Sequence, residues 1–185
     1  DFTIATPAFP DNGRTVFKGY LFVGDVLLNE SGMQHHPLTP MVDANLVRVM
    51  QGQCKSKVGL LSHKTIAQGA TAIQQEITNL KQQGVRIAIV DAVSNDDLMR
   101  LGPALKGMPL VTAGSGVAIG LPQNFGLSPT PQASVLPKAS GLQAVVSGSC
   151  SQATNKQVAH FKASGRPTFL IAPLHIKGSW QDLVE

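Results

Sequence analysis

Val85-Arg86-Ile87-Ala88-Ile89-Val90-Asp91 is a run of strand-forming residues with a single charge inside it and an acid at its end. Such near-continuous apolar character marks a strand covered on both faces, as in a parallel sheet flanked by helices. Upstream, Ile66, Ala70, Ile73, Ile77 and Leu80 follow one another at steps of four, three, four and three. That spacing draws one apolar stripe along a helix from about Thr65 to Gln83, and Gly84 is placed to end it. Downstream, Ser94 and Asp97 form a capping box with Asp in place of Glu, opening a short helix that Gly102-Pro103 should end or kink. Leu110-Val111-Thr112 reads as a further strand, and so do Val58-Gly59-Leu60-Leu61 and Phe2-Thr3-Ile4-Ala5. Strand, helix, strand, helix, strand is the order of βαβ units. The expected class is α/β, a Rossmann-like parallel sheet that binds ligands at the carboxyl ends of its strands.

Between the first two of these strands, Arg14 to Leu28 reads as extended structure with glycine breaks. Thr39-Pro40 offers an N-cap followed by proline, so a helix is expected to start there with Leu46, Val47 and Met50 on its buried side. From Pro122 to Gly141 the composition shifts to Pro, Ser, Gln and Gly, which reads as a linker. Beyond it, Leu142 to Val146, a helix to about Ser164, Gly165 and a strand at Thr168 to Ile171 make one βαβ unit. A unit that small cannot cover both faces of a sheet, so the chain is expected to be a piece of a longer protein.

The 185 residues, 43% hydrophobic and 14% charged, suit one or one and a half globular domains. The net charge of +4 fits an anionic small molecule. With one Trp, one Tyr and the basic residues dispersed, a nucleic-acid surface is not expected. The uncharged stretch after Lys106 is broken by Pro109, a glycine loop and Pro122, so no membrane span is expected. Cys54 and Cys150 stand far apart without companions, which points to a reducing, cytoplasmic setting and to no cysteine-rich metal site.

Two charge-free corners follow apolar runs: Thr112-Ala113-Gly114-Ser115-Gly116 and Ser147-Gly148-Ser149-Cys150-Ser151. Where a strand turns into a helix, small residues let backbone N–H groups approach a phosphate; the same residues also build ordinary turns. His35 and His36, just before Pro37, suit contact with an anionic substrate better than metal binding, because adjacent side chains seldom converge and no ligand spacing accompanies them. Arg14 after Asn12-Gly13 is either a carboxylate clamp or a surface arginine following a turn, and Glu30 is equally open. Asp91 reads as a cap for the next turn before it reads as a base. His63, His160 and His175 read as surface or packing residues, and Cys150 as a small structural residue.

Pro7-Ala8-Phe9-Pro10, Asn12-Gly13-Arg14-Thr15-Val16, Gly19-Tyr20-Leu21-Phe22-Val23, Leu28-Asn29-Glu30-Ser31-Gly32-Met33, His36-Pro37-Leu38-Thr39-Pro40-Met41, Val90-Asp91-Ala92 and Ser147-Gly148-Ser149-Cys150-Ser151 together resemble the four-carbon acid sugar kinases, most of all the 3-oxo-tetronate kinase branch. The resemblance covers nearly the whole chain. It implies an N-terminal domain that holds the acid sugar and a C-terminal domain that holds ATP, with Mg²⁺ and transfer of the γ-phosphoryl group to the 4-hydroxyl. On that basis residues 1–121 are the later part of the sugar-acid domain, 122–141 the linker and 142–185 the beginning of the nucleotide domain. Ser149 and Ser151 would serve the nucleotide site, Gly114, Ser115 and Gly116 would face the cleft between the domains, and Arg14, His35 and His36 would lie towards the substrate. No catalytic residue and no protein-bound metal are assigned, and a homo-oligomer is compatible with the sequence.

The family's Asp-Asp-x-Thr-Gly-Ala and Gly-Gly-(Glu/Asp)-Thr elements are absent from these residues. The piece alone is therefore expected to be inactive. A noncatalytic sugar-acid-binding module and a threonate or erythronate kinase stay open beside the main reading. A dinucleotide-dependent oxidoreductase fits poorly, since neither corner has the full Gly-x-Gly-x-x-Gly spacing.

Overall fold

A computed structural model describes residues 1–36 and 38–171; His175 lies outside them. The chain divides into two compact units, Asp1–Ala133 and Ser134–Glu185.

The first unit is built on β1 (Thr3–Thr6), then β2 (Arg14–Phe17), β3 (Tyr20–Val23) and β4 (Val26–Leu27). Helix α1 (Leu46–Gln51) leads to β5 (Lys57–Leu61), α2 (His63–Ile66) and α3 (Ala70–Gln82) to β6 (Val85–Val90), and α4 (Asn95–Ala104) to β7 (Thr112–Ala113). Four of the strands form one sheet in the order β5-β6-β1-β7, every pairing parallel, with Ala5 opposite both Ile89 and Thr112. The α/β expectation holds. Val85, Ala88, Ile89 and Val90 are all buried, as a strand between two helical layers requires. The two faces can be told apart at β5. A side chain at Gly59 would point at Leu80 of α3, whereas its neighbour Leu60 lies beside Gly19 and Val47 of α1.

β2, β3 and β4 form a separate antiparallel sheet, the extended region with glycine breaks foreseen from Arg14 to Leu28. Lys18 and Gly19 join β2 to β3 with φ of 51° and 78°, a turn whose twist matches a hairpin.

Several local readings shift. No helix starts at Thr39-Pro40. Thr39 instead donates its N–H to His36 Nδ1 at 3.0 Å, and the helix waits for Asn45, whose Oδ1 accepts the Arg48 N–H. The long helix is broken at Gly69, φ 89°, into α2 and α3, yet Ile66, Ile73, Ile77 and Leu80 all remain buried. Gly84 adopts the left-handed conformation expected of the helix stop. The capping box at Ser94 and Asp97 forms, and Pro103 sits inside the last turn of α4. The strand foreseen at 110–112 is displaced to Thr112–Ala113, leaving Leu110 exposed.

Pro122–Phe125 is a 3-10 turn fastened to α4: Gln123 Nε2 donates to the Met99 carbonyl, and Asn124 Nδ2 to that of Gly102. In the second unit, α5 (Gln152–Ala163) is the regular element among the described residues. Leu142–Val146 and Thr168–Ile171 are not strands, and their apolar side chains are exposed. A strand needs a partner for its backbone groups, and the described residues provide none.

Candidate functional site

In the parallel sheet the chain leaves β1 towards β5 and leaves β6 in the opposite sense, past β1, to β7. The carboxyl ends of β1 and β6 therefore flank a topological switch point, where open α/β sheets bind ligands.

Asp91 occupies that point and is fully buried. Its carboxylate accepts backbone N–H groups from Lys18 (2.9 Å), Gly19 (2.8 Å) and His63 (2.9 Å). With both oxygens engaged by the β2–β3 turn and the start of α2, Asp91 ties three segments together, more than the local cap read from the sequence. Beside it, Val16 and Ala92 exchange backbone hydrogen bonds, joining the antiparallel sheet to the end of β6. Thr6 Oγ1 donates to the Val90 carbonyl and accepts the Ala8 N–H, which fixes the other lip.

A second group of side chains surrounds this point. Asp97, also buried, accepts the N–H groups of Val93 and Ser94, takes Arg100 Nη1 at 3.0 Å, and lies 3.5 Å from His63 Nε2. The His63 ring meets Phe17 edge-on, and Lys18 Nζ stands over that same phenyl ring. His63 was read as a surface or packing residue. Its place two residues past the apolar run Val58–Leu61 is the signal that puts it, like Asp91, near a strand's carboxyl end.

Towards β7 the carboxyl end opens into an apolar cleft of about 260 Å³ between Thr6, Pro7, Leu46, Met50, Thr112 and Gly114. Gly114 donates its N–H to the Thr6 carbonyl at 2.9 Å. Ser115 is exposed. Gly116 is buried, and a Cβ there would collide with the Ala8 carbonyl and Phe9. The first glycine corner thus packs closely on the segment after β1, a use of small residues that its composition shares with phosphate binding.

Ser149 and Ser151 belong to the second unit. Ser151 Oγ accepts the Thr154 N–H at 3.1 Å and caps α5, while Ser149 Oγ accepts the Ser151 N–H at 3.2 Å. The corner leads into a helix, as its sequence foretold. Arg14 lies in β2 opposite Val23 with its side chain exposed. His35 closes a 3-10 turn over Gly32–His35 and is exposed. His36 Nδ1 accepts the N–H groups of Leu38 and Thr39. No hydrogen bond or ion pair among the described residues joins Arg14 to either histidine.

At the start of α1, Arg48 forks onto Asp43 (Nε to Oδ2 2.9 Å, Nη2 to Oδ1 2.8 Å). That fork, with the Asn45 N–H, holds the Asp43 carboxyl below its ordinary range, and Asp43 and Tyr20 raise the guanidinium. Tyr20 is lowered by Asn45 and then by Arg48.

The switch-point fold, the second sheet over it and the sequence agree with one class of protein. Residues 1–121 match the model of the sugar-binding N-terminal domain, and the chain belongs to that family. It resembles the 3-oxo-tetronate kinases: it is 57% identical, over 94% of its length, to a protein of that name from Cupriavidus necator, and spans 41% of that relative. Among solved structures it resembles a Haemophilus influenzae protein at 48% identity and a TM-score of 0.69, covering 88% of this chain and 39% of that one. A Salmonella typhimurium LT2 protein described as a putative tRNA synthase matches at 41% identity and a TM-score of 0.73, covering 96% of this chain and 42% of that one. The chain thus spans about two fifths of the curated relative's length.

Proposed function

We propose that this chain is the sugar-acid-holding part, with the first segment of the nucleotide-holding part, of an ATP-dependent kinase that phosphorylates 3-oxo-tetronate at its 4-hydroxyl. What carries the reading is the 57% identity, across 94% of the chain, to a 3-oxo-tetronate kinase. In this reading residues 1–121 bind the acid sugar, 122–141 link, and 142–185 begin the ATP domain. Arg14, His35 and His36 bind the acid's oxygens, whereas Ser149, Ser151 and the Gly114–Gly116 corner contact the triphosphate. Phosphoryl transfer asks a protein chiefly for positioning and charge neutralisation, which N–H-lined corners and basic side chains supply. In this reading Mg²⁺ comes with the nucleotide and would add charge neutralisation at the phosphates. Free Cys54 and Cys150 suit a cytoplasmic setting.

The tRNA description attached to the Salmonella relative finds no support in this chain, whose basic residues are dispersed and whose aromatic content is 5%. On its own the chain is proposed to bind the acid without turning it over. Calorimetric titration with four-carbon sugar acids tests this. Saturable heat without ADP release is expected when ATP is added; a folded chain that binds none of the acids contradicts the assignment.

A further inference from the structure

On the α1 side, the parallel sheet is only half covered. Helix α1 is six residues long and packs on β5 and β6, while on the opposite face α3 packs on the same two strands and α4 packs on α3. Over β1 and β7 no helix continues the α1 layer among the described residues. Ala5, Ile89 and Thr112 of the sheet instead line an open cleft together with Leu46, Val49 and Met50 of α1. An all-parallel sheet is ordinarily covered on both faces, so a layer is missing there.

The chemistry of the cleft says what fills it. No charged side chain lines it among the described residues, and the Thr6 hydroxyl is already spent on the Val90 carbonyl and the Ala8 N–H. A phosphate or an acid would find no cation there, whereas the apolar stripe of a helix would bury its surface. Two strands span about 10 Å across the sheet, which is the diameter of one helix. The direction of the crossovers says where that helix comes from. β1 reaches β5 through α1 on this face, and β6 reaches β7 in the opposite direction through α4 on the other. Opposite directions on opposite faces make one hand, the right-handed sense of parallel connections. By the same rule, a connection that enters β1 with its helix on the α1 face starts from beyond the free edge of β7 and lies across β7 and β1. Entry from the other side would set the helix where α3 and α4 already pack.

We propose that in the full-length protein an amphipathic helix N-terminal to Asp1 docks on β1 and β7 beside α1, its apolar stripe against Ala5, Val49 and Met50. The chain spans 41% of the Cupriavidus necator relative, and a protein of that length has the residues to supply such a helix. The inference rests on the sheet and its crossovers, not on the acid-sugar reading.

The test is photo-cross-linking in the full-length protein that contains this chain. Val49→Cys, in a background whose other cysteines are replaced by Ser, carries a benzophenone on its thiol, and unlabelled and ¹⁵N-labelled copies are mixed before irradiation. Mass spectrometry reads which residues the probe captures and whether they belong to the same copy. Capture of a segment before Asp1 within one copy is expected. Thr112→Cys, at an exposed position of β7, is the second anchor and should capture the same segment, which keeps the test open if Val49→Cys does not fold. Capture of residues from Ser134 onward, capture of the other copy, or no capture outside residues 1–133 from either position would overturn the proposal.

Discussion

The carboxylate of Asp91 accepts the backbone N–H of Gly19 at 2.8 Å across 72 residues of sequence. This bond, with those to Lys18 and His63, fastens the antiparallel sheet and the start of α2 to the end of β6. An acid at a strand's carboxyl end invites a catalytic reading. Its buried position and three N–H donors make it a fastening. Replacing it by Asn keeps the volume but turns an amide donor towards one or more of those N–H groups. Asp91→Asn should lose about 3 kcal/mol in urea unfolding, from buried donors left without acceptors. A loss under about 1 kcal/mol would show that the fastening matters little.

Close backbone packing of α4 on the segment after β7 makes a second test. A Cβ on Gly102 would run into the Gly120 backbone, and one on Gly120 into the Leu98 carbonyl. Either Gly→Ala change should destabilise the first unit by about 2 kcal/mol or more, since backbone cannot step aside as a side chain can. Gly32→Ala, with nothing within 4 Å of the new atom and no positive φ, is the control and should be close to neutral.

Asp43 and Arg48 predict a pH effect. The folded-state pKa of Asp43 is depressed, chiefly by the Arg48 fork. Its contribution to stability is therefore present above the ordinary carboxylate pKa and disappears as pH falls through the lower, folded value. Arg48→Gln should flatten the acid limb of the stability curve in proportion. An unchanged limb would mean that the exposed pair contributes nothing measurable.

Ser151 tests the second corner. Ser151→Ala removes the cap of α5 and should cost about 1 kcal/mol of helix stability, visible as lost helical circular dichroism on mild heating. In the whole protein the proposed nucleotide role adds a separate effect. Bulky replacements of Ser149 and Ser151 should raise the KM for ATP, and an unchanged KM would remove both residues from that site.

The sheet was legible because its signals are local. Val85–Val90 is apolar on both faces, the stripe from Ile66 to Leu80 has helical period, and Ser94 with Asp97 is a capping pattern. The break at Gly69 was hidden, because the stripe continues across it and only φ reveals it. Thr39-Pro40 resembled a helix start until His36 took the Thr39 N–H, a competition that spacing does not display. The segments at 142–146 and 168–171 have strand composition without strand partners. At the switch point, Asp91 could be placed at its strand end, whereas its bonds to Lys18, Gly19 and His63 are long-range and invisible to any local pattern.

The most direct measurement is ADP release by the full-length protein that contains this chain, incubated with ATP, Mg²⁺ and a panel of four-carbon sugar acids. The account predicts turnover that requires an acid and is greatest with 3-oxo-tetronate, yielding the 4-phosphate. Folded protein that releases no ADP above background with any of the acids would contradict it.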